Sequence, residues 1–158
     1  MRRALLAMLA TAFVFQLPGG DFAEAGDSAE VTATVRANPV SVTLFLSSAT
    51  ISVGWETSAV AQVDNAGPSP LTDVSVTLHV QPDGVAAVDG FDRLLGVIGS
   101  TETASATWDL CGLLPGNYLL LARATATMAD GGVVETDSNA RLLEVTGRGR
   151  KPCGKAYR

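Results

Sequence analysis

The chain offers few side chains for catalysis, with one histidine, His79, and two cysteines, Cys111 and Cys153. His79 lies between Leu78 and Val80 in an alternating segment, which favours a solvent-facing side chain over a catalytic base. The sequence has no G-x-S-x-G motif, no cysteine beside a histidine and no glycine-rich phosphate loop. One histidine and two cysteines are also too few for a zinc site of the usual kind. We therefore expect a protein that is not an enzyme.

Acidic residues in two loops are candidates for calcium binding. The segment PDGVAAVDGFD supplies Asp83, Asp89 and Asp92, and DGGVVETD supplies Asp130 and Asp137. Calcium takes about six to eight oxygen ligands, which loops at one end of a β-sandwich can provide. Asp-Gly is also an ordinary turn pair, and the spacing matches no EF-hand. The sequence leaves both alternatives open, and no other cofactor is expected.

Three apolar residues are candidates for a binding surface. If Tyr118 and Leu120 face the core, then Leu119 and Leu121 face solvent, because side chains alternate along a strand. Trp55 stands at the start of a predicted strand. These residues predict a patch for a protein or a cell-surface polymer. The alternative is that apolar residues of an N-terminal arm cover them, namely Val31, Ala33 and Val35.

The elements that must position these residues are β-strands. Period-two alternation recurs along the sequence, with Gly, Pro, Asn and Asp at the breaks, as in VSVTLFL and VSVTLHV. This pattern predicts an all-β fold, an immunoglobulin-like antiparallel β-sandwich of about seven to nine strands. Trp108 belongs to the predicted core, because its period-two partners are apolar. The predicted strands are residues 31–36, 40–47, 57–64, 73–80, 94–98, 103–110, 117–127, 133–136 and 140–146.

Two turns with clear sequence signals separate some of these strands. In NAGPSP, Asn65 and Gly67 tolerate a left-handed backbone, and Pro68 and Pro70 cannot donate to a sheet ladder, so pairing must stop there. In LLPGNY, Tyr118 is predicted to bury its ring and bond its hydroxyl to backbone a few residues upstream. The alternative for Tyr118 is an exposed binding side chain.

The first residues have the layout of a secretory signal peptide. Arg2 and Arg3 precede the apolar segment ALLAMLATAFVF, and Ala23-Glu24-Ala25 follows as a small-x-small cleavage pattern. The predicted organisation is a signal peptide at 1–25, an N-terminal arm at 26–38, a sandwich at 39–147 and a basic C-terminal tail at 148–158. No later apolar run is long enough to span a membrane. We expect a secreted protein, extracellular or periplasmic.

Charge is unevenly distributed along the sequence. Residues 26–146 carry four arginines and 14 acidic residues, whereas residues 147–158 carry five basic residues and no acid. An acidic body disfavours nucleic acid as a partner. The basic segment either contacts an anionic surface or is a solvated chain end.

The central sequence resembles the bacterial cell-adhesion-related domains and the conserved repeat domains of bacterial surface proteins. The shared pattern is a V-G-x entry at Val53-Gly54, then VDNAGP at 63–68, then L-x-x-V-x-V from Leu71. The later segment ATWDLCGLLPGNYLLLARAT is similar to the closing half of such domains. The resemblance covers roughly residues 40–145 and implies a sandwich module with an adhesive or spacer role.

The two cysteines are predicted to pair. Export implies an oxidising compartment, and strands 117–127 and 140–146 should be antiparallel neighbours. Cys111 precedes the first of these strands and Cys153 follows the second, so both project from the same end of the sandwich. The alternative is two free thiols, with Cys153 available to link another chain.

The function expected from these features is that of a non-catalytic secreted binding or spacer module. One alternative is a secreted proteinase inhibitor of immunoglobulin-like fold, acting through an exposed loop such as residues 85–93. A carbohydrate-binding module is a weaker alternative, because it needs several aromatic residues on one face.

Overall fold

A computed structural model describes residues 38–147 and Cys153, which form two stacked β-sheets. The predicted signal peptide, the strand at 31–36 and the basic tail other than Cys153 lie outside the described residues. The part of the chain that is described contains no helix long and apolar enough to cross a membrane. The ten strands are β1 (Val40–Leu46), β2 (Thr50–Ser52), β3 (Glu56–Asn65), β4 (Leu71–Gln81), β5 (Val85–Ala87), β6 (Asp92–Ile98), β7 (Thr103–Gly112), β8 (Gly116–Thr127), β9 (Val133–Asp137) and β10 (Arg141–Thr146).

The smaller sheet has the strand order β1-β3-β7-β5, and the larger has the order β2-β10-β8-β4-β6. Strand β9 also pairs with β8, so β9 and β10 lie end to end along one edge of β8. All of these pairs are antiparallel except β2 with β10, which is parallel. Since β1 and β2 belong to different sheets, the chain changes sheets between residues 46 and 50. The predicted antiparallel sandwich is confirmed.

The predicted strands within the described region correspond to β1, β3, β4, β6, β7, β8, β9 and β10. Strands β2 and β5 were missed because each has three residues, too few for alternation to be recognised. Both are short edge segments. Strand β2 lies where the chain passes from one sheet to the other, and β5 flanks β7. Residues 38–147 thus contain ten strands rather than seven to nine.

Trp108 is fully buried at the centre of the sandwich, as its alternating neighbours predict. Its indole Nε1 donates a hydrogen bond of 2.9 Å to the carbonyl of Phe91, so the polar atom of the ring is satisfied. Leu44 from the smaller sheet and Leu120 and Leu143 from the larger are also fully buried in this core. The alternation along each strand therefore places the two apolar faces against each other.

The first corner is built around the buried side chain of Asn65. Its amide nitrogen donates to the carbonyls of Ser69 and Gly99, each at 2.9 Å, and its Oδ1 accepts from the amide of Gly67 at 3.0 Å. One side chain thus satisfies the backbone of the turn after β3 and the end of β6. The NAGP sequence encodes this arrangement.

Neither Asn65 nor Gly67 adopts the left-handed backbone that these residue types tolerate. Among the described non-glycine residues, positive φ occurs at Asp73, Asp89 and Thr101, and Gly67 is not among the positive-φ glycines. Gly67 instead packs closely against the side chains of Pro39 and Asn65. A Cβ there would stand 3.0 Å from Cβ of Pro39 and 3.1 Å from Oδ1 of Asn65, tighter than ordinary contact.

Tyr118 forms the second corner as predicted. Its ring is buried, and its hydroxyl donates a 2.8 Å hydrogen bond to the carbonyl of Leu114, four residues upstream. Gly84 packs directly against this ring, and a Cβ at that position would collide with the phenol. The amides of Leu113 and Leu114 both donate to the carbonyl of Gly84. The corner therefore joins β8 to the turn before β5.

The open side between β1 and β10 is closed by side chains. Asn139 lies in the break between β9 and β10, and its Oδ1 accepts from the amide of Leu44 at 3.0 Å. Its Nδ2 and the Nε of Arg141 donate to the carbonyl of the same leucine, at 3.3 and 2.8 Å. Both backbone groups of Leu44 that face away from β3 are therefore satisfied from the opposite sheet.

Cys111 and Cys153 form a disulfide, with their Cα atoms 6.1 Å apart, as predicted. Cys111 is fully buried in β7 of the smaller sheet, whereas Cys153 follows β10 of the larger. The bond therefore links the two sheets at the end of the sandwich that holds Tyr118.

Replacing Asn65 by alanine should destabilise the protein by about 2–4 kcal/mol, because several buried backbone groups lose their partner together. Urea unfolding of Asn65→Ala and of the solvent-exposed control Asn117→Ala would measure the difference. Equal midpoints for the two variants would show that the corner does not depend on this amide.

Removing the disulfide with Cys111→Ala and Cys153→Ala together should cost about 3–4 kcal/mol, since the closed loop spans 42 residues. The free energy of unfolding from denaturant melts gives this value, with the oxidised wild type as reference. Two free thiols per chain in the denatured, unreduced protein would contradict the pairing.

Candidate functional site

His79 lies on the outer face of the larger sheet and is solvent-exposed. In the register of β4 and β8 its cross-strand partner is Leu121. This is the surface position that the alternating sequence predicted.

The three candidate calcium ligands do not converge. Asp83 lies in the turn before β5, Asp89 in the loop after β5, and the carboxylate of Asp92 accepts a 2.6 Å hydrogen bond from the hydroxyl of Thr77. Across residues 38–147 and Cys153, no group of three or more His, Cys, Asp or Glu side chains is placed to hold a metal ion. Asp130 precedes β9 and Asp137 is the last residue of β9, which belongs to a different part of the larger sheet.

The guanidinium of Arg93 occupies the loop that was a candidate for calcium binding. Arg93 donates hydrogen bonds to the carbonyls of Val88, Asp89, Gly90 and Asp92 at 2.8–3.2 Å. These are oxygen ligands of the type that calcium uses. The loop is therefore organised around a positive charge that the protein itself supplies.

Arg93 also closes the second open side of the sandwich. Its Nε donates to the carbonyl of Thr107 in β7 at 3.0 Å, although Arg93 belongs to β6 of the other sheet. The guanidinium carbon lies 5.7 Å from the centre of the Trp108 ring, within cation–π range. The arginine is therefore a structural residue.

The apolar residues predicted to face solvent form part of a strip on the larger sheet. Leu119 is 49% exposed, and Leu121, two residues further along β8, is partly exposed on the same face. Leu142 of β10, which is 58% exposed, is the cross-strand partner of Leu119. We call Leu119, Leu121 and Leu142 the leucine strip. Leu142 was missed because the predicted strand 140–146 was not assigned an inner and an outer face.

Charged residues border the leucine strip. Arg123 continues β8 beyond Leu121 and binds Asp137 of β9 through two hydrogen bonds, of 2.6 and 2.9 Å. The hydrogen bond from Arg123 holds the pKa of Asp137 below its usual value, and the same bond raises the pKa of Arg123. This pair is exposed, so it contributes little to the stability of the fold.

Trp55 does not lie in the leucine strip. It occupies the turn between β2 and β3, where its carbonyl accepts from the amide of Gly112 at 3.3 Å. Its side chain is 68% exposed. Gly112 follows Cys111, so Trp55 stands at the disulfide-linked end of the sandwich. Trp55 is therefore exposed on a turn, not on the strands that carry the leucine strip.

An apolar groove lies at the opposite end of the sandwich, beside the Asn65 corner. Its volume is about 630 Å³. Sequence analysis missed this groove, because its lining comes from three separate segments that no local pattern connects. The lining includes Pro39, Pro68, Pro70, Met128, Val133 and Val134.

No protein-family model and no curated protein matches the chain. Among solved structures, the chain is similar to the CARDB domain of PF1109 from Pyrococcus furiosus, solved by NMR. The TM-score is 0.50 at 13% identity over 68% of this chain and 94% of that one. A crystal structure of that domain in complex with di-metal ions gives the same TM-score and identity over 68% and 87%. A cohesin module from a Clostridium perfringens glycoside hydrolase has a TM-score of 0.48 at 11% identity over 71% and 100%.

At these identities the similarity concerns the fold alone. The predicted resemblance is confirmed as far as the immunoglobulin-like domain, and no adhesion or surface-repeat family is established. The chain folds as an immunoglobulin-like β-sandwich.

Proposed function

We propose that the protein is a non-catalytic, secreted binding module whose contact surface is the leucine strip. The observation that carries this proposal is the pairing of Leu119 with Leu142 on the outer face of the larger sheet. Apolar side chains placed together on a solvent-facing sheet, with a charged rim, are typical of a protein-binding patch. A spacer would not need such a strip, so binding is favoured over a purely mechanical role.

The titratable groups support a non-catalytic role. The pKa shifts of Arg123 and Asp137 come chiefly from the hydrogen bond within their own exposed ion pair. Catalytic groups commonly have pKa values shifted by burial or by partners in a cleft. The partner that we propose is a protein or a cell-surface polymer.

Secretion is supported by two independent features. The disulfide between Cys111 and Cys153 is of the kind that persists in oxidising compartments. The sequence of residues 1–25 has the three regions of a signal peptide. The proposed location is extracellular or periplasmic.

The proteinase inhibitor alternative would use the loop at residues 85–93. Val85 and Ala87 are buried there, and the following carbonyls are bound by Arg93. An inhibitor loop must present its side chains to a protease cleft, so these contacts favour the leucine strip as the functional surface.

The secreted protein should begin near Gly26, after removal of residues 1–25. N-terminal sequencing of protein collected outside the cytoplasm would test this. Recovery of an exported, membrane-held protein that retains Met1 would contradict it.

Replacing Leu119 and Leu142 together by aspartate should abolish partner retention without unfolding the protein, because both side chains are exposed. The measurement is a pull-down from the surface fraction of the producing cell, comparing this variant with wild type. The matched control is Leu94→Asp, at an 80% exposed leucine on β6, two strands away from β8.

The proposal predicts a species retained by wild type and by the control and lost from the double variant. Equal retention by all three proteins would exclude the leucine strip as the contact surface. Inhibition in a protease panel that survives the double variant would instead support the inhibitor alternative.

A further inference from the structure

The outer face of the larger sheet carries carboxylates at both ends of the leucine strip. Glu144 lies two residues beyond Leu142 on β10 and is exposed on the same face, because side chains alternate along a strand. At the other end, Asp137 of β9 binds Arg123, and Glu135 lies two residues before Asp137 on the same face. The apolar strip is therefore bounded at both ends by acidic residues.

A further carboxylate lies beside the strip, in the turn after β4. Asp83 and Leu119 line the same surface hollow. Glu135 and Glu144 make no ion pair with any described residue, so their negative charges are not neutralised by the fold. The surroundings of the strip thus contain four acidic side chains and one arginine, a formal charge of −3 with His79 neutral.

The arginines of this region are already bound to protein groups. Residues 38–147 contain no lysine and three arginines. Arg93 donates to loop carbonyls, Arg141 donates to the carbonyl of Leu44, and Arg123 is held by a carboxylate of β9. An anionic partner would therefore meet carboxylates around the strip and no free guanidinium, and such like-charge contacts oppose binding.

The apolar part of the surface sets a second requirement for the partner. Leu119 and Leu142 are about half exposed, at 49% and 58%, and they are cross-strand neighbours. Covering them is favourable only if the partner brings apolar groups of its own. A partner that fits this face must therefore combine an apolar centre with a positively charged rim.

We infer that the partner of the leucine strip is a protein surface that presents apolar side chains flanked by lysine or arginine. The leucines supply the buried centre of the contact, and the surrounding carboxylates orient the partner and speed its approach. This inference rests on the proposed contact surface and narrows its partner. An anionic cell-surface polymer is excluded, because it would be repelled by the carboxylates.

Fluorescence anisotropy with defined peptides tests this inference. The probe is a labelled amphipathic peptide of leucine and lysine, and two comparison peptides replace every lysine by glutamate or every leucine by serine. Wild type should bind the leucine–lysine peptide roughly tenfold more tightly than either comparison peptide, since one lacks the positive charge and the other the apolar face. Raising the ionic strength to about 1 M should weaken this binding, because the Debye length falls to about 3 Å.

Two pairs of substitutions locate the charge effect. Glu135→Lys with Glu144→Lys should weaken binding of the leucine–lysine peptide roughly tenfold. The matched control, Glu56→Lys with Asp109→Lys, makes the same change in net charge at exposed positions of the smaller sheet. It should bind within roughly twofold of wild type, because those charges are distant from the strip and screened.

A third variant separates this inference from the proposed contact surface. Leu119→Ser with Leu142→Ser removes the apolar groups without changing the charge, so the binding that it loses is binding at the strip. If the strip binds the leucine–glutamate peptide as tightly as the leucine–lysine peptide, the inference is overturned and the contact surface stands. The same holds if the glutamate reversals have no more effect than their control. If wild type binds no peptide, the inference is overturned, and if the serine variant binds like wild type, the contact surface fails with it.

Discussion

Backbone groups that become buried at the open sides and ends of two stacked sheets need hydrogen-bond partners, and in this protein polar side chains provide several of them. Asn65, Asn139 and Arg93 each bind backbone of a strand or turn that they do not belong to. A buried amide or carbonyl without a partner costs about as much as a hydrogen bond lost. The apolar core around Trp108 supplies most of the stabilisation, and these hydrogen bonds join the two sheets at their open sides and ends.

These side-chain hydrogen bonds at the open sides and ends of the sandwich explain why the exposed apolar sites can be rigid. The leucine strip lies on β8 and β10, whose inner faces carry Leu120 and Leu143 into the core. The exposed Leu113 and Leu114 are held at the Tyr118 corner, next to the disulfide at Cys111. Side chains on such supports lose little conformational entropy when they bind, which favours contact surfaces over flexible loops.

The sequence predicted the strands and the core well, because alternation at Val74, Val76 and Leu78 and around Trp108 depends on local spacing alone. It predicted the disulfide from the order of two neighbouring strands, and the Tyr118 corner from a Pro-Gly turn followed by a tyrosine, as in immunoglobulin-like sandwiches. It could not predict that Arg93 occupies the loop proposed for calcium, since the acceptors include Thr107 in another sheet. The placement of Leu142 beside Leu119 likewise depends on sheet register, which no local pattern encodes.

Native-state hydrogen exchange would test most directly whether the backbone hydrogen bonds to the side chains of Asn65 and Asn139 break only when the whole domain unfolds. The amides of Gly67 and Leu44 bind the side-chain oxygens of Asn65 and Asn139, at 3.0 Å in both cases. The account predicts that both amides exchange with the free energy of global unfolding, like the amide of Ala61 in the central strand β3. Exchange of Gly67 and Leu44 through local opening at much lower free energy than Ala61 would contradict it.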